Sequence, residues 1–469
     1  MLASSVQPPS FYHQITSQIN DLGSNPIQVT QLMRAISKPE LFLLVAFLFV
    51  LPMYEGPKNL LLVIYIITWC VQSWRAKDFG GKLRSWEWVL ALFLATGFIS
   101  AYTNPFGWEK PISGALTFTK LILPAILISR TSIPTPKVTL LGSSIILGTL
   151  IAVLESWYVW IRDGAEHPEL NSVGHVNQSA LYIAIAFGVS LAIFMMNKGW
   201  KKALPLLLTL FFAAALVVAK SMTAFGVALV MSVAAICIQL KPNVKNTASL
   251  ALSVIAMGTL VFIASDHISA LKNFESKATY HAQGGDTGSS FLSKRDVIFN
   301  SVIFVLPDFP MFGAGDRHFD IATSEEYMQS VAAQRGTPYE AERFFHTNHG
   351  HNMVSSVLLN RGYVGLLLIL SFIFIAAWKH LQWLKQYYSD RKLELEPVIG
   401  IMTGIYIIVG GMGNSTLYVE HGQLAFCLIG LSLGYLQRKS DRKIIDSQTY
   451  NIAEHSMEKS SQNSEDHAL

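Results

Sequence analysis

The sequence predicts an all-α polytopic membrane protein of about twelve transmembrane helices, with one large, partly helical loop on its outer face. Three observations carry this expectation. Of 469 residues, 51% are apolar and only 14% charged, with a mean hydropathy of +0.38. A soluble domain carries about 25% charge. Long apolar runs recur from Leu41 onward, and a bilayer core takes about 20 such residues per helix. Basic residues cluster on alternate connections, as their preference for the cytoplasmic side requires. The net charge of +4 is too small to imply a nucleic-acid partner, and so hydrophobic a chain is not disordered.

Residues 1–38 are polar, rich in Ser and Gln, and lack a cleavable signal pattern; they read as a cytoplasmic N-terminal tail. Helices one to nine fall within 39–265, at 41–54, 58–74, 86–102, 113–129, 138–160, 179–196, 203–219, 222–240 and 247–265. Ala203–Leu240 holds one charge, Lys220, which predicts two spans joined by a tight turn at Lys220-Ser221-Met222-Thr223. Helices ten to twelve fall within 353–436, at 353–378, 397–412 and 418–436. Residues 437–469, rich in Ser, Glu and Lys without an apolar face, read as a disordered cytoplasmic tail. With both termini cytoplasmic, 22 of the 35 Lys and Arg lie on inner segments. Cys70, Cys237 and Cys427 all fall inside spans and read as packing residues.

One outer connection differs. Residues 266–352 form an insertion with eleven Asp and Glu, seven Lys and Arg, and six of the 13 His. Long idle loops are uncommon, so it is expected to carry structure or function. Lys294-Arg295-Asp296 opens an amphipathic stretch, Val297 to Leu306, expected as a helix near the interface and ended by Pro307 and Pro310. Gly313-Ala314-Gly315-Asp316 is a flexible turn rather than a nucleotide fingerprint, because no βαβ unit surrounds it. The loop returns as Arg343-Phe344-Phe345-His346-Thr347-Asn348-His349-Gly350-His351-Asn352 before a long apolar helix. Asn352 is a natural N-cap. His351 can exchange a proton near neutral pH. The competing reading makes His349 and His351 interface residues without chemistry.

Other polar residues fall on the same face. Arg162, Asp163, His167, Asn171, His175 and Asn177 lie between helices five and six, Lys220 between seven and eight, and Glu420 and His421 beside helix twelve. Each alone could snorkel. Together they suggest a cationic, histidine-bearing cleft, and charges within membrane proteins are costly and often functional. Such a cleft suits an anionic lipid-linked substrate such as a polyprenyl pyrophosphate sugar. Cations would stabilise the departing pyrophosphate, Arg binding its oxygens as a fork. A His would take the proton of an acceptor hydroxyl. Asp163, Glu166, Glu342 and Glu420 are alternative bases, weaker because an aqueous carboxylate titrates near pH 4. No HExxH, CxxC or EF-hand pattern is present, and no metal or other cofactor is expected.

At these residues the chain resembles the O-antigen ligase and Wzy-type polysaccharide polymerase superfamily of bacterial membrane proteins. The resemblance rests on Gly174-His175-Val176-Asn177-Gln178-Ser179-Ala180, on Arg295 followed by Pro310-Met311-Phe312-Gly313-Ala314-Gly315, and on His351-Asn352 followed by Gly362-Tyr363-Val364-Gly365. It covers about residues 40 to 436. It implies a GT-C-like fold with a periplasmic loop and periplasmic active site in the bacterial inner membrane. It implies metal-independent, inverting transfer of a glycan from undecaprenyl pyrophosphate to an acceptor hydroxyl. His351 would then be the acceptor-activating base and Arg295 would hold the pyrophosphate. Lys220, Asn352, His349, Arg162, His175, Asn177 and Arg343 are the expected substrate contacts. Two departures stand out. Lys220-Ser221-Met222 replaces a Ser-Arg, and Lys lacks the planar fork. Asn360-Arg361 stands where the family commonly has a Glu before the first Gly.

Of four functions to weigh, three differ chiefly in the acceptor. A ligase would join the glycan to lipid A-core. A polymerase of O-antigen, capsule or exopolysaccharide would join repeat units. A protein O-glycosyltransferase would use a protein hydroxyl. A transporter would transfer nothing, and the repeats typical of that class are not evident.

Overall fold

The computed structural model describes residues 34–164, 167–240 and 295–466. The apolar run at 247–265, the first part of the large loop and the N-terminal tail to residue 33 lie outside the described residues. Every other apolar run falls on a helix. In chain order these are α1 (Lys38–Val50), α2 (Glu55–Ala76), α3 (Ser85–Thr103), α4 (Glu109–Ser129), α5 (Thr135–Asp163), α6 (Val176–Met196), α7 (Ala203–Val218) and α8 (Met222–Gln239). The loop contributes α9 (Arg295–Val305), α10 (Phe319–Ala322) and α11 (Glu325–Gln334). Then come α12 (Met353–Asp390), α13 (Leu395–Ile405, prolonged by a π turn at Tyr406–Gly410) and α14 (Val419–Asp466). Eight helices among the described residues are long and apolar enough to cross a membrane. No strand occurs among them, and the chain is an all-α polytopic membrane protein.

Local sequence explains several boundaries. Ser37 and Glu40 form a reciprocal capping box at α1, with Pro39 in its first turn. Lys220, in left-handed backbone at φ +53°, makes the turn between α7 and α8. Gly174 (φ +71°) turns the chain into α6, where the His175 side chain accepts from the Asn177 amide at 3.3 Å. At the end of the bundle away from the large loop, buried carboxylates hold the arginines: Glu87 takes two hydrogen bonds from Arg130, and Glu40 pairs with Arg34. α14 packs along α4 and α13. Gly430 and Gly434 face Ala125 and Ser129 of α4 so closely that a Cβ would stand 2.4 to 2.5 Å from their carbonyl oxygens; small residues four apart let helix axes approach.

α14 continues as a helix through residues 437–466, where a disordered tail is expected from composition. A polar stretch that follows an already formed helix needs no new nucleus, which is the costly step. Cys427 is buried in the core, as expected, whereas Cys70 and Cys237 sit on outward faces of their helices.

The described part of the large loop has its own small core. Ile298, Ser301, Val302 and Val305 form the buried face of α9, at the i, i+3, i+4, i+7 spacing of an amphipathic helix. They meet Phe309, Phe319, Met328 and, from α12, Leu358 and Leu359. α9 therefore rests on the loop and on α12. Pro307 lies in the short 3-10 turn that follows it.

Candidate active site

Two substructures meet at the start of α12. The first is the break within that helix. Gly362 has φ +65° and ψ −168°, a region essentially reserved for glycine. The break frees backbone groups, and the glycine-bearing loop satisfies them. Ala314 N–H donates to the Leu359 carbonyl (2.7 Å) and Gly315 N–H to the Asn360 carbonyl (3.1 Å). Tyr363 and Val364 N–H donate to the carbonyls of Pro310 and Met311 (3.0 and 3.2 Å). The sequence Pro310-Met311-Phe312-Gly313-Ala314-Gly315 is thus the partner of Gly362.

Asp316, next in that loop, turns inward. Arg361 donates to it from Nε (3.2 Å) and Nη2 (2.6 Å), and from Nη1 to the Phe93 carbonyl (2.5 Å). Its guanidinium lies 4.3 Å from both the Phe93 and Phe118 rings. Both ends of the pair are 1% exposed. Gly97 and Gly114 make the room, since a Cβ on either would collide with Arg361 or Asp316.

The second substructure is the histidine segment. His349 and His351 have ring centroids 4.0 Å apart, tilted by 35°. His351 sits at φ +49°, left-handed backbone that non-glycine residues seldom adopt. Asn352 caps α12, its Oδ1 accepting from the Ser355 amide at 2.6 Å. Gly350 N–H donates to Ser356 Oγ (3.2 Å), and Ser356 Oγ meets Ser415 Oγ at 2.8 Å. The segment is therefore stitched to α12 and to the turn after α13. That turn in turn meets Thr223, just beyond Lys220, at Gly413. Burial pushes the His349 imidazole below its ordinary pKa, and the charge of His175 pushes it the same way. His175, at the head of α6, thus acts electrostatically on His349.

A small cavity between the two substructures, lined by Phe118, Asp316, Ser356, Asn360, Arg361 and Tyr418, has room for about 10 Å³, the space of about one water. Asn360 Oδ1 is buried there without a partner among the described residues.

The remaining expected site residues are distributed as follows. Arg162 is exposed and doubly bonded to Asp163 at 2.5 and 2.7 Å. Arg343 is exposed and pairs with Glu340 at 3.3 Å. Asn177 is half-buried in the first turn of α6. Lys220 is exposed with no carboxylate partner among the described residues. Arg295 begins α9, and its side chain lies outside the described residues. Glu420 is bound to Lys58, whose Nζ also donates to Ser172 Oγ at 2.5 Å. His421 Nδ1 meets the Tyr406 hydroxyl at 2.7 Å deep in the bundle. His349, His351 and Asn352 thus stand together at the start of α12, with His175 acting on His349, while Arg162 and Arg343 pair with local acids. No group of three metal-ligating side chains occurs among the described residues.

No curated protein matches the chain. Residues 206–370 match the family model of the O-antigen ligases. That span runs from the first turn of α7 into α12 and takes in Lys220, Arg295, the glycine-bearing loop, His349, His351 and Gly362. In this part of the chain, which holds the histidine segment and the Asp316–Arg361 ion pair, the protein is similar to the O-antigen ligases.

Proposed function

We propose that the protein transfers a glycan from undecaprenyl pyrophosphate to an acceptor hydroxyl at the periplasmic face of the bacterial inner membrane, with both termini cytoplasmic and about twelve spans. The observation that carries this reading is the close His349–His351 pair at the capped start of α12, inside the region that matches the ligase family. His351 is the base. It accepts the proton of the acceptor hydroxyl as the oxygen attacks the anomeric carbon. The bond from that carbon to the pyrophosphate oxygen breaks, its electron pair leaves with the pyrophosphate, and the configuration inverts. The lowered pKa of His349 supports this role, because a second imidazolium beside His351 would oppose its protonation. Arg295 and Lys220 hold the leaving pyrophosphate. His175, Asn177 and Asn352 contact the substrate on the α6 side, and Arg162 and Arg343 flank it.

Lipid A-core is the proposed acceptor, which makes the protein a ligase. Purified full-length protein with lipid-linked repeat units, with and without lipid A-core, tests this. A core-dependent product supports ligation. A ladder that grows without core identifies a polymerase, and no transfer to either acceptor overturns the glycosyltransferase reading.

A further inference from the structure

We infer that the open face of α4 binds the phosphate-bearing head of an anionic membrane lipid, at a site separate from the histidine pair and independent of the transfer reaction. Lys110, Ser113, Thr117 and Lys120 recur at the spacing of one helical face. Lys110, Ser113 and Lys120 are exposed and Thr117 half-buried. Arg317 lies across the same face, donating from Nη1 to Ser113 Oγ (3.1 Å) and from Nη2 to Thr117 Oγ1 (3.2 Å). It is held there by left-handed backbone at φ +64°, immediately after Asp316 has turned inward to Arg361. Neighbouring residues of one loop thus place the acid inside and the cation outside.

The charges on this face are unbalanced. Lys110, Arg317 and Lys120 have no carboxylate partner among the described residues. Glu109, at the head of the helix, forms no ion pair among them. Depth is the second observation. Lys120 lies midway along the 21-residue α4, about 16 Å from its start at about 1.5 Å per residue. Exposed Tyr102 and Trp108 mark the interface level at the same end. An exposed lysine halfway down a membrane helix is costly unless it meets an anion or snorkels. The line from Lys110 past Arg317 to Lys120 gives a phosphate a continuous path of donors along the bilayer side. Exposed Leu116 on the same helix offers apolar surface to its hydrocarbon chain.

Native mass spectrometry of the full-length protein in detergent tests this, with phosphatidylglycerol, phosphatidylcholine of the same chains, and inorganic phosphate as probes. A basic residue near a membrane surface strengthens anionic-lipid binding about fivefold. The triple variant K110Q/R317Q/K120Q is therefore expected to hold phosphatidylglycerol on the order of a hundredfold more weakly, with phosphatidylcholine unchanged. K385Q/K392Q, exposed at the opposite end of the bundle, is expected to bind as the parent does. Should the triple variant fail to fold, K120Q alone is expected to lose about fivefold. Equal retention of phosphatidylglycerol by parent and variant overturns the proposal. So does equal retention of the two lipids by the parent, or displacement of phosphatidylglycerol by excess inorganic phosphate, which would mark a site for soluble anions.

Discussion

Arg361 of α12 and Asp316 of the glycine-bearing loop form a two-pronged ion pair with both ends buried, at 2.6 and 3.2 Å. The pair fastens the loop to the helix one residue before its break at Gly362. Removing one partner strands a buried charge, which costs about 3–5 kcal/mol. Arg361→Met and Asp316→Asn are each expected to destabilise by that amount. The double variant should lose less than the sum of the singles. A double-mutant cycle on thermal unfolding in detergent measures the coupling, and additive losses would refute it.

Gly362→Ala is expected to be poorly tolerated. Its backbone angles belong to a glycine-only region, and a Cβ would stand 2.3 Å from the Met311 carbonyl oxygen. The cost is of order 1–3 kcal/mol for the strain alone. A lower yield of monodisperse protein and a lower unfolding midpoint check it; parent-like behaviour of both would contradict it. Gly81, also at positive φ but with open space around its Cβ position, is the comparison.

His351→Ala is expected to insert and fold like the parent while transfer falls by about 10²- to 10⁴-fold, the usual worth of a general base. Single-turnover assays with lipid-linked donor measure this, and transfer within a fewfold of the parent removes His351 from the role. Arg295→Ala is expected instead to weaken use of the donor. Unchanged dependence on donor concentration would remove that assignment.

Stability should depend on pH through His349. Its folded pKa lies below the ordinary value of about 6.5. As pH falls through 6.5 the unfolded chain takes up the proton first, so folding stability decreases. Above that pH the group contributes nothing to the dependence. His349→Gln is expected to flatten the unfolding midpoint between about pH 7 and 5. His175→Gln removes a charge that lowers the His349 pKa, and should reduce the slope. Identical slopes in all three proteins would rule the coupling out.

Much of the fold was legible because its signals are local. Apolar runs mark the helices, Lys220 marks the turn between α7 and α8, and Asn352 caps α12 as a residue of its type does. The histidine segment was legible for the same reason, since three histidines fall just before a long apolar run. What joins the site is not local. Asp316 and Arg361 are 45 residues apart, and nothing in either neighbourhood names the other. Arg361 stood out only as a departure from the family's usual Glu. Its partner is the inward carboxylate of Asp316, supplied by the loop. Charge counting put Arg162 and Arg343 on one face but left out their local partners, Asp163 and Glu340. Arg317, by contrast, was passed over within a turn read only for its glycines.

The small core of the loop includes Leu358 and Leu359, which belong to α12. Since the ribosome makes the loop before that helix, the emerging segment at first lacks its hydrophobic seat. It can close only after α12 has been made. Maturation of the histidine segment is therefore a late step of biogenesis, and a chain truncated before residue 358 would leave the translocon with this segment unfinished.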